Sequence, residues 1–207
     1  MSEPADTLVI ACGALAREIT ALKRTNGWTS LAVTCLPAEL HNRPERIPER
    51  VRTAIRENRD RYRRIFVAYA DCGTGGRIDD VLLAEGVERL PGAHCYEFFA
   101  TSTTFTALAA AEPGTFYLTD FLLRHFDRLV TQGLGIDRHP ELAQEYFRNY
   151  TKVTYLAQTR SETALEAARA IAASMNLGFE YRFTGYGELA VRLGRLVQGE
   201  ALHAWPA

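Results

Sequence analysis

TLVIACGALAREITALKR, residues 7–24, carries the pattern on which the fold turns. Its first part is a short, almost wholly apolar run that stops at Gly13. From Ala14 onward the apolar residues fall at helical spacing. A strand with no polar alternation is buried on both faces, as in parallel sheets covered by helices. The same strand-then-helix unit recurs along the chain. Residues 31–35 (LAVTC) predict a second strand, followed by a Pro-punctuated loop over 36–48 and a charged helix over 49–62. Residues 64–70 (RIFVAYA) predict a third strand, then a loop over 71–76 and a helix over 78–85. Residues 87–90, 115–118, 153–157 and 179–183 read as further strands. Helices are expected over 96–110, 118–132, 140–150, 162–175 and 187–197. The alternation predicts an α/β fold of Rossmann-like kind, a mostly parallel sheet with helices on both faces. It fits one domain over 1–207, with two packed α/β halves dividing near 112–114 as the alternative. The tail 202–207 is expected to be peripheral.

The 207 residues are 47% hydrophobic and 24% charged, enough to bury a sizeable core. A net charge of −1 argues against nucleic acid, because a binder needs a basic surface to displace counterions. The arginines over 43–64 are interleaved with Glu45, Glu49, Glu57 and Asp60, and read as a solvated helix face. No stretch approaches the ~20 apolar residues of a membrane span. The N-terminal run has no basic segment before it and reads as a strand rather than a leader. A cytoplasmic protein is expected, with its four cysteines reduced.

Three of those cysteines occupy equivalent places. Cys12 ends the first strand, Cys72 follows the third, and Cys95 follows the fourth. The carboxyl ends of parallel strands share one edge, where ligands bind. His41, on the loop after the second strand, is the natural fourth member, and Cys₃His is a normal zinc set. Glycines after Cys12 and Cys72 let a backbone or bound group approach closely. The competing reading is three inert core thiols. Cys35, still inside the apolar strand pattern, is expected to be a small core residue.

Other residues suggest a substrate or anion site. Gly73, Thr74, Gly75 and Gly76 form a strand-to-helix loop whose N–H groups suit a phosphate or carboxylate. The loop lacks a Walker A ending and a dinucleotide fingerprint, and an empty tight turn is its bland alternative. Arg43, Asp120 and Tyr150 are further candidates for polar-ligand binding. Thr119 or Asp120 as a helix cap, and turn chemistry around Tyr150, explain them as well. A carboxylate–histidine cluster of Asp120, His125 and Asp127 is a minor reading. GxSxG and HExxH are both absent.

Six phrases carry a resemblance: ACG at 11–13, LHNRPE at 40–45, DCGTGG at 71–76, HCYEF at 94–98, TFYLTDFL at 115–122 and FRNYTKVTYLAQT at 147–159. Together they resemble the uncharacterised family of domains of unknown function numbered 1638, over nearly the whole chain. That family is often met near corrinoid-dependent methyltransferase systems, so the resemblance implies a link to methylated amines or one-carbon metabolism. It supplies no substrate or catalytic residue.

The leading expectation is a metal-thiolate enzyme: a zinc-type ion on Cys12, Cys72, Cys95 and His41, acting on a small molecule by methyl or other small-group transfer. The alternative is an accessory protein that carries a metal, an iron–sulfur cluster or a corrinoid to a partner methyltransferase. The corrinoid-binding DxHxxG pattern is missing, since Asp137-Arg138-His139 continues into Pro140-Glu141-Leu142. A metal-free enzyme with one thiolate nucleophile and His41 or His94 as base is the third reading.

Overall fold

A computed structural model describes residues 5–200. The chain divides into two units, residues 1–95 with 188–207, and residues 96–187. The boundary falls after Cys95, and residues 112–114 form the turn into a strand inside the second unit. The tail at 202–207 lies outside the described residues.

The first unit is a four-stranded parallel sheet of order β2-β1-β3-β4, built from β1 (Thr7–Cys12), β2 (Leu31–Leu36), β3 (Arg64–Ala68) and β4 (Glu88–Arg89). All six residues of β1 are buried, because β1 lies between β2 and β3 with helices over both faces. α1 (Ala16–Thr25) turns Ile19 and Leu22 inward. α2 (Ile47–Asn58) starts with Pro48 in its first turn, where no N–H is missed, and buries Val51, Ala54 and Ile55. α3 (Arg77–Glu85) ends on Gly86, whose left-handed φ of 64° a side chain would disfavour.

The connections decide where a site can form. From β1 the chain moves outward to β2, then crosses back over β1 to β3 and continues to β4. Right-handed crossovers place α1 on one face of the sheet and α2 with α3 on the other, and α2 and α3 do pack together. The winding direction therefore reverses between β1 and β3. Beyond their carboxyl ends lies the crevice that such a reversal opens.

The second unit begins with α4 (Glu97–Ala100) and α5 (Ser102–Ala111), which replace the single expected helix. They part at Thr101, which has a φ of 64° and caps α5 by accepting from the Thr104 N–H. A three-stranded parallel sheet follows, in order β5 (Thr115–Thr119), β6 (Lys152–Ala157), β7 (Gly178–Phe183). Leu118, Val153 and Tyr155 face a core built with α6 (Asp120–Arg124) and α8 (Glu162–Ser174). On the other face, Leu156 and Tyr117 pack against Tyr96, Ala100 and Phe105. The helix expected over 118–132 breaks at His125, and Asp127–Thr131 takes a π-helical turn. α7 (Leu142–Phe147) is shorter than expected. α9 (Gly187–Val197) belongs, but for its first residue, to the first unit, where it buries Leu189, Leu193 and Leu196. Arg64 of β3 ties it down by donating to the Leu196 and Glu200 carbonyls. Among the described residues, no helix is long and apolar enough to cross a membrane.

Candidate metal centre

Each of the four strands of the first sheet sends one residue to the crevice. Cys12 is the last residue of β1, and His41 follows β2 on a short 3-10 turn, Ala38–Asn42. Cys72 lies beyond β3, and Cys95 beyond β4. Their order across the sheet is His41, Cys12, Cys72, Cys95, which is the strand order itself.

Local structure then brings them together. After β3 the backbone pairs with the loop after β4: the Asp71 N–H donates to the Gly92 carbonyl at 3.0 Å, and the Cys72 N–H to the Ala93 carbonyl at 2.8 Å. Cys72 itself sits at φ 50°, a left-handed conformation uncommon for a residue with a side chain. Gly13 admits the chain leaving β2, since a Cβ there would stand 3.0 Å from the Leu36 carbonyl oxygen. A Cβ on Gly73 would lie 3.5 Å from Pro44, so the His41 loop runs against the Cys72 loop.

Cys12 Sγ, Cys95 Sγ and a ring nitrogen of His41 all lie within 4.8 Å of one another. Cys12 Sγ is 3.8 Å from His41 Nδ1, and Cys72 Sγ is 3.1 Å from Cys95 Sγ. The three thiols are buried, whereas His41 is only partly so. Cys12 Sγ also accepts the Ala14 N–H at 3.3 Å. His41 Nδ1 is 3.0 Å from the Ala38 carbonyl oxygen. A carbonyl can only accept, so Nδ1 carries a proton, and in the neutral ring Nε2 is the nitrogen with a lone pair to offer. Histidine ligands commonly hold their second nitrogen in this way.

The electrostatics are those of groups sharing too few protons. Hydrogen bonding from the Cys95 thiol draws Cys12 down to about 6, against its burial and with help from His41. The Cys95 thiol likewise lowers Cys72. Cys95, in contact with the Cys12 and Cys72 sulfurs, is itself pushed up. Burial opposes charge on His41, but the Cys12 and Cys72 sulfurs outweigh it and push the ring up to about 11. Cys12 and Cys72 are thus eased toward the thiolate form that a metal site uses, while His41 is held toward the imidazolium and would release a proton on binding a metal.

Tyr69, just past β3, is a member of this site that the sequence reading passed over. It is fully buried, and its ring lies parallel to His41 with centroids 6.4 Å apart. Its hydroxyl has no hydrogen-bond partner. Burial first, and then the sulfurs around it with Cys12 foremost, holds the phenol proton on. The signal available was a polar-tipped aromatic at the end of RIFVAYA, three residues before Cys72.

Other expectations come out differently. Cys35 is exposed rather than core, because β2 is an edge strand and Cys35 sits one position off the buried Leu36. The anion cradle at 73–76 is filled from within. The Asp71 carboxylate accepts from the Gly75 N–H at 3.1 Å, the Gly76 N–H at 2.8 Å and the Thr74 hydroxyl at 2.5 Å. Arg43 lies on the exposed side of its loop. Asp120 and Tyr150 belong to the second unit, and Cys12, His41, Cys72 and Cys95 to the first. The Asp120 carboxylate accepts from the Tyr155 hydroxyl at 2.7 Å, from the Gln158 and Thr159 N–H groups and from the Thr159 hydroxyl at 2.6 Å. Thr119 is the cap of α6. Tyr150 packs edge-on to Phe116 and lines a cavity of about 480 Å³ with Phe126, Phe147 and Met175. The His125 ring lies tilted against Phe121 and Asp127 accepts from Gln132, and among the described residues no metal-ligand group joins them with Asp120. Among the described residues, Cys12, His41 and Cys95 are the single group with metal-ligand proximity.

A family model described as "Protein of unknown function (DUF1638)" matches residues 35–193. The span holds His41, Cys72 and Cys95, while the ACG phrase with Cys12 lies before it. No curated protein and no solved structure matches the chain significantly.

Proposed function

We propose that this chain, which belongs to the DUF1638 family of proteins of unknown function, holds one zinc-type ion at Cys12, His41, Cys72 and Cys95 and acts there on a small molecule by methyl or similar small-group transfer. The observation that carries the reading is the meeting of Cys12, His41 and Cys95 within 4.8 Å, with Cys72 3.1 Å from Cys95. Two thiolates on one tetrahedral zinc stand about 3.8 Å apart, given Zn–S bonds of about 2.3 Å. The Cys72 and Cys95 sulfurs need to part by only a fraction of an ångström to share an ion. Iron–sulfur clusters put their thiolates on separate irons and need a wider spread, so the spacing favours a single ion.

Such an ion, when bound, supplies Lewis acidity that keeps a coordinated thiol ionised and nucleophilic at neutral pH. The chain's own residues divide the remaining work. The three buried sulfurs provide the fixed ligands. His41, on a short turn at the solvent side, would be the ligand to give way to an incoming molecule, and its imidazole could then take that molecule's proton. The link to methyl transfer rests on the family resemblance and on the aptness of zinc-thiolate chemistry for it. A non-catalytic metal carrier is the second reading, and the presence of four protein donors favours it, because a filled tetrahedron leaves no open position.

Metal analysis of protein purified without chelator tests the centre, together with Ser variants at 12, 72 and 95. Near-stoichiometric metal that falls in each variant supports it; metal-free wild-type protein overturns it. Turnover of methylated thiols or amines by the loaded protein separates the enzyme from the carrier, which predicts none.

A further inference from the structure

We propose that Tyr69 is the positioning residue of this centre, its hydroxyl donating to the Cys12 sulfur when Cys12 serves as a metal ligand. The inference rests on the metal-thiolate reading and adds a residue that no part of that reading requires.

Three observations carry it. The Tyr69 hydroxyl is buried without a hydrogen-bond partner, although the residue is fully enclosed. A buried donor left unpaired is costly, and native structures seldom keep one without a reason. The register of β1 with β3 pairs Ala11 with Ala68, so Tyr69 follows at the position beside Cys12, the last residue of β1. Its ring also lies parallel to His41 at 13°, so one side chain faces both a sulfur ligand and the imidazole. A metal that binds the Cys12 sulfur holds it in place as a ligand, and so fixes an acceptor beside a phenol that otherwise has none.

The consequence concerns sulfur identity. Cys12 already accepts the Ala14 N–H at 3.3 Å. With a second donor from Tyr69 it becomes the most firmly held and least nucleophilic of the three sulfurs. Groups around a metal's ligands orient them in this manner, and their loss typically costs 10–100-fold in affinity.

The test compares wild type with Tyr69→Phe, which keeps the ring and its stacking on His41. Cobalt(II) is the probe, because its sulfur-to-cobalt charge-transfer absorption reports on the thiolates directly. Wild type and Tyr69→Phe are each expected to take up one cobalt ion, the variant with a shifted charge-transfer band and an affinity about 10–100-fold weaker by chelator competition. The metal-free variant is expected to melt no lower than metal-free wild type, since an unpaired hydroxyl has been removed. Identical spectra and affinities would show that Tyr69 only fills space. A marked fall in the metal-free melting temperature would show that its hydroxyl is already paired without metal, which also overturns the proposal. If wild type takes up no cobalt, the metal-thiolate reading fails and this inference fails with it, an outcome distinct from equal binding by both proteins.

Discussion

Two sets of buried polar groups stand at the carboxyl ends of parallel strands, one in each unit, and they are finished differently. In the second unit Asp120 follows β5, and Gln158 and Thr159 follow β6. The Asp120 carboxylate accepts four hydrogen bonds, and its own N–H donates to the Gln158 side chain at 2.8 Å. Every donor near it is used. In the first unit, Cys12, His41, Cys72 and Cys95 meet with two of the three thiols lowered and the third raised, and the Tyr69 hydroxyl beside them has no partner. The same topological address holds a closed network in one unit and an incomplete one in the other. Burial alone did not tell them apart; hydrogen-bond completion did.

That contrast can be broken most directly by oxidation. Hydrogen peroxide should convert one thiolate of the metal-free pair to a sulfenic acid, which the other sulfur displaces as water to form a disulfide. With the sulfurs 3.1 Å apart, Cys72 and Cys95 are expected to pair. Two titratable thiols should vanish, and peptide mapping should join those two residues. Prior loading with zinc should protect them. Mapping that instead joins Cys12 to Cys35 would show that the buried thiols do not act as one group.

The closed network should respond through stability. Asp120→Ala leaves the Tyr155 hydroxyl and the Gln158 N–H buried without their acceptor, and is expected to cost about 3 kcal/mol in urea unfolding. Metal content per folded chain should not change. A loss of metal in this variant would erase the distinction between the two clusters.

A smaller effect is expected from Gly13→Ala. Its Cβ would press on the Leu36 carbonyl oxygen at 3.0 Å and push the His41 loop away from Cys12. The expected cost is about 1–2 kcal/mol by thermal or urea unfolding, with weakened metal binding. Unaltered affinity would mean that the His41 loop does not depend on this close approach. Least of all should come from Cys35→Ala. The residue is exposed, so stability should stay within about 0.5 kcal/mol and metal content should hold. A full loss of metal there would show that the ligand set had been wrongly chosen.

Much of this was legible along the chain. The unbroken apolar runs TLVIAC and RIFVAYA specified strands buried on both faces, because a solvated face would have required alternation. Gly13 and Gly73 marked where backbone comes close. The position of Cys12, Cys72 and Cys95 at or after strand ends gave the candidate set, since parallel strands share one carboxyl edge. Cys35 misled because an apolar pattern does not say whether a strand is central or at an edge. The loop at 73–76 misled for a related reason: Asp71 is adjacent in sequence, but only the fold of the turn shows its carboxylate taking the N–H groups that a ligand would need.

Residue order along the chain settles the alternation of strand and helix and the repeated placement of chemistry-bearing residues after strands. These are local properties, set by side-chain type and spacing over a few residues. The tertiary structure alone decided the order β2-β1-β3-β4, which brings His41, Cys12, Cys72 and Cys95 to adjacent strand ends, and left the Tyr69 hydroxyl among the sulfurs without a partner. Strand order and the completion of hydrogen bonds depend on contacts between residues distant in the chain, and no local pattern of spacing encodes them.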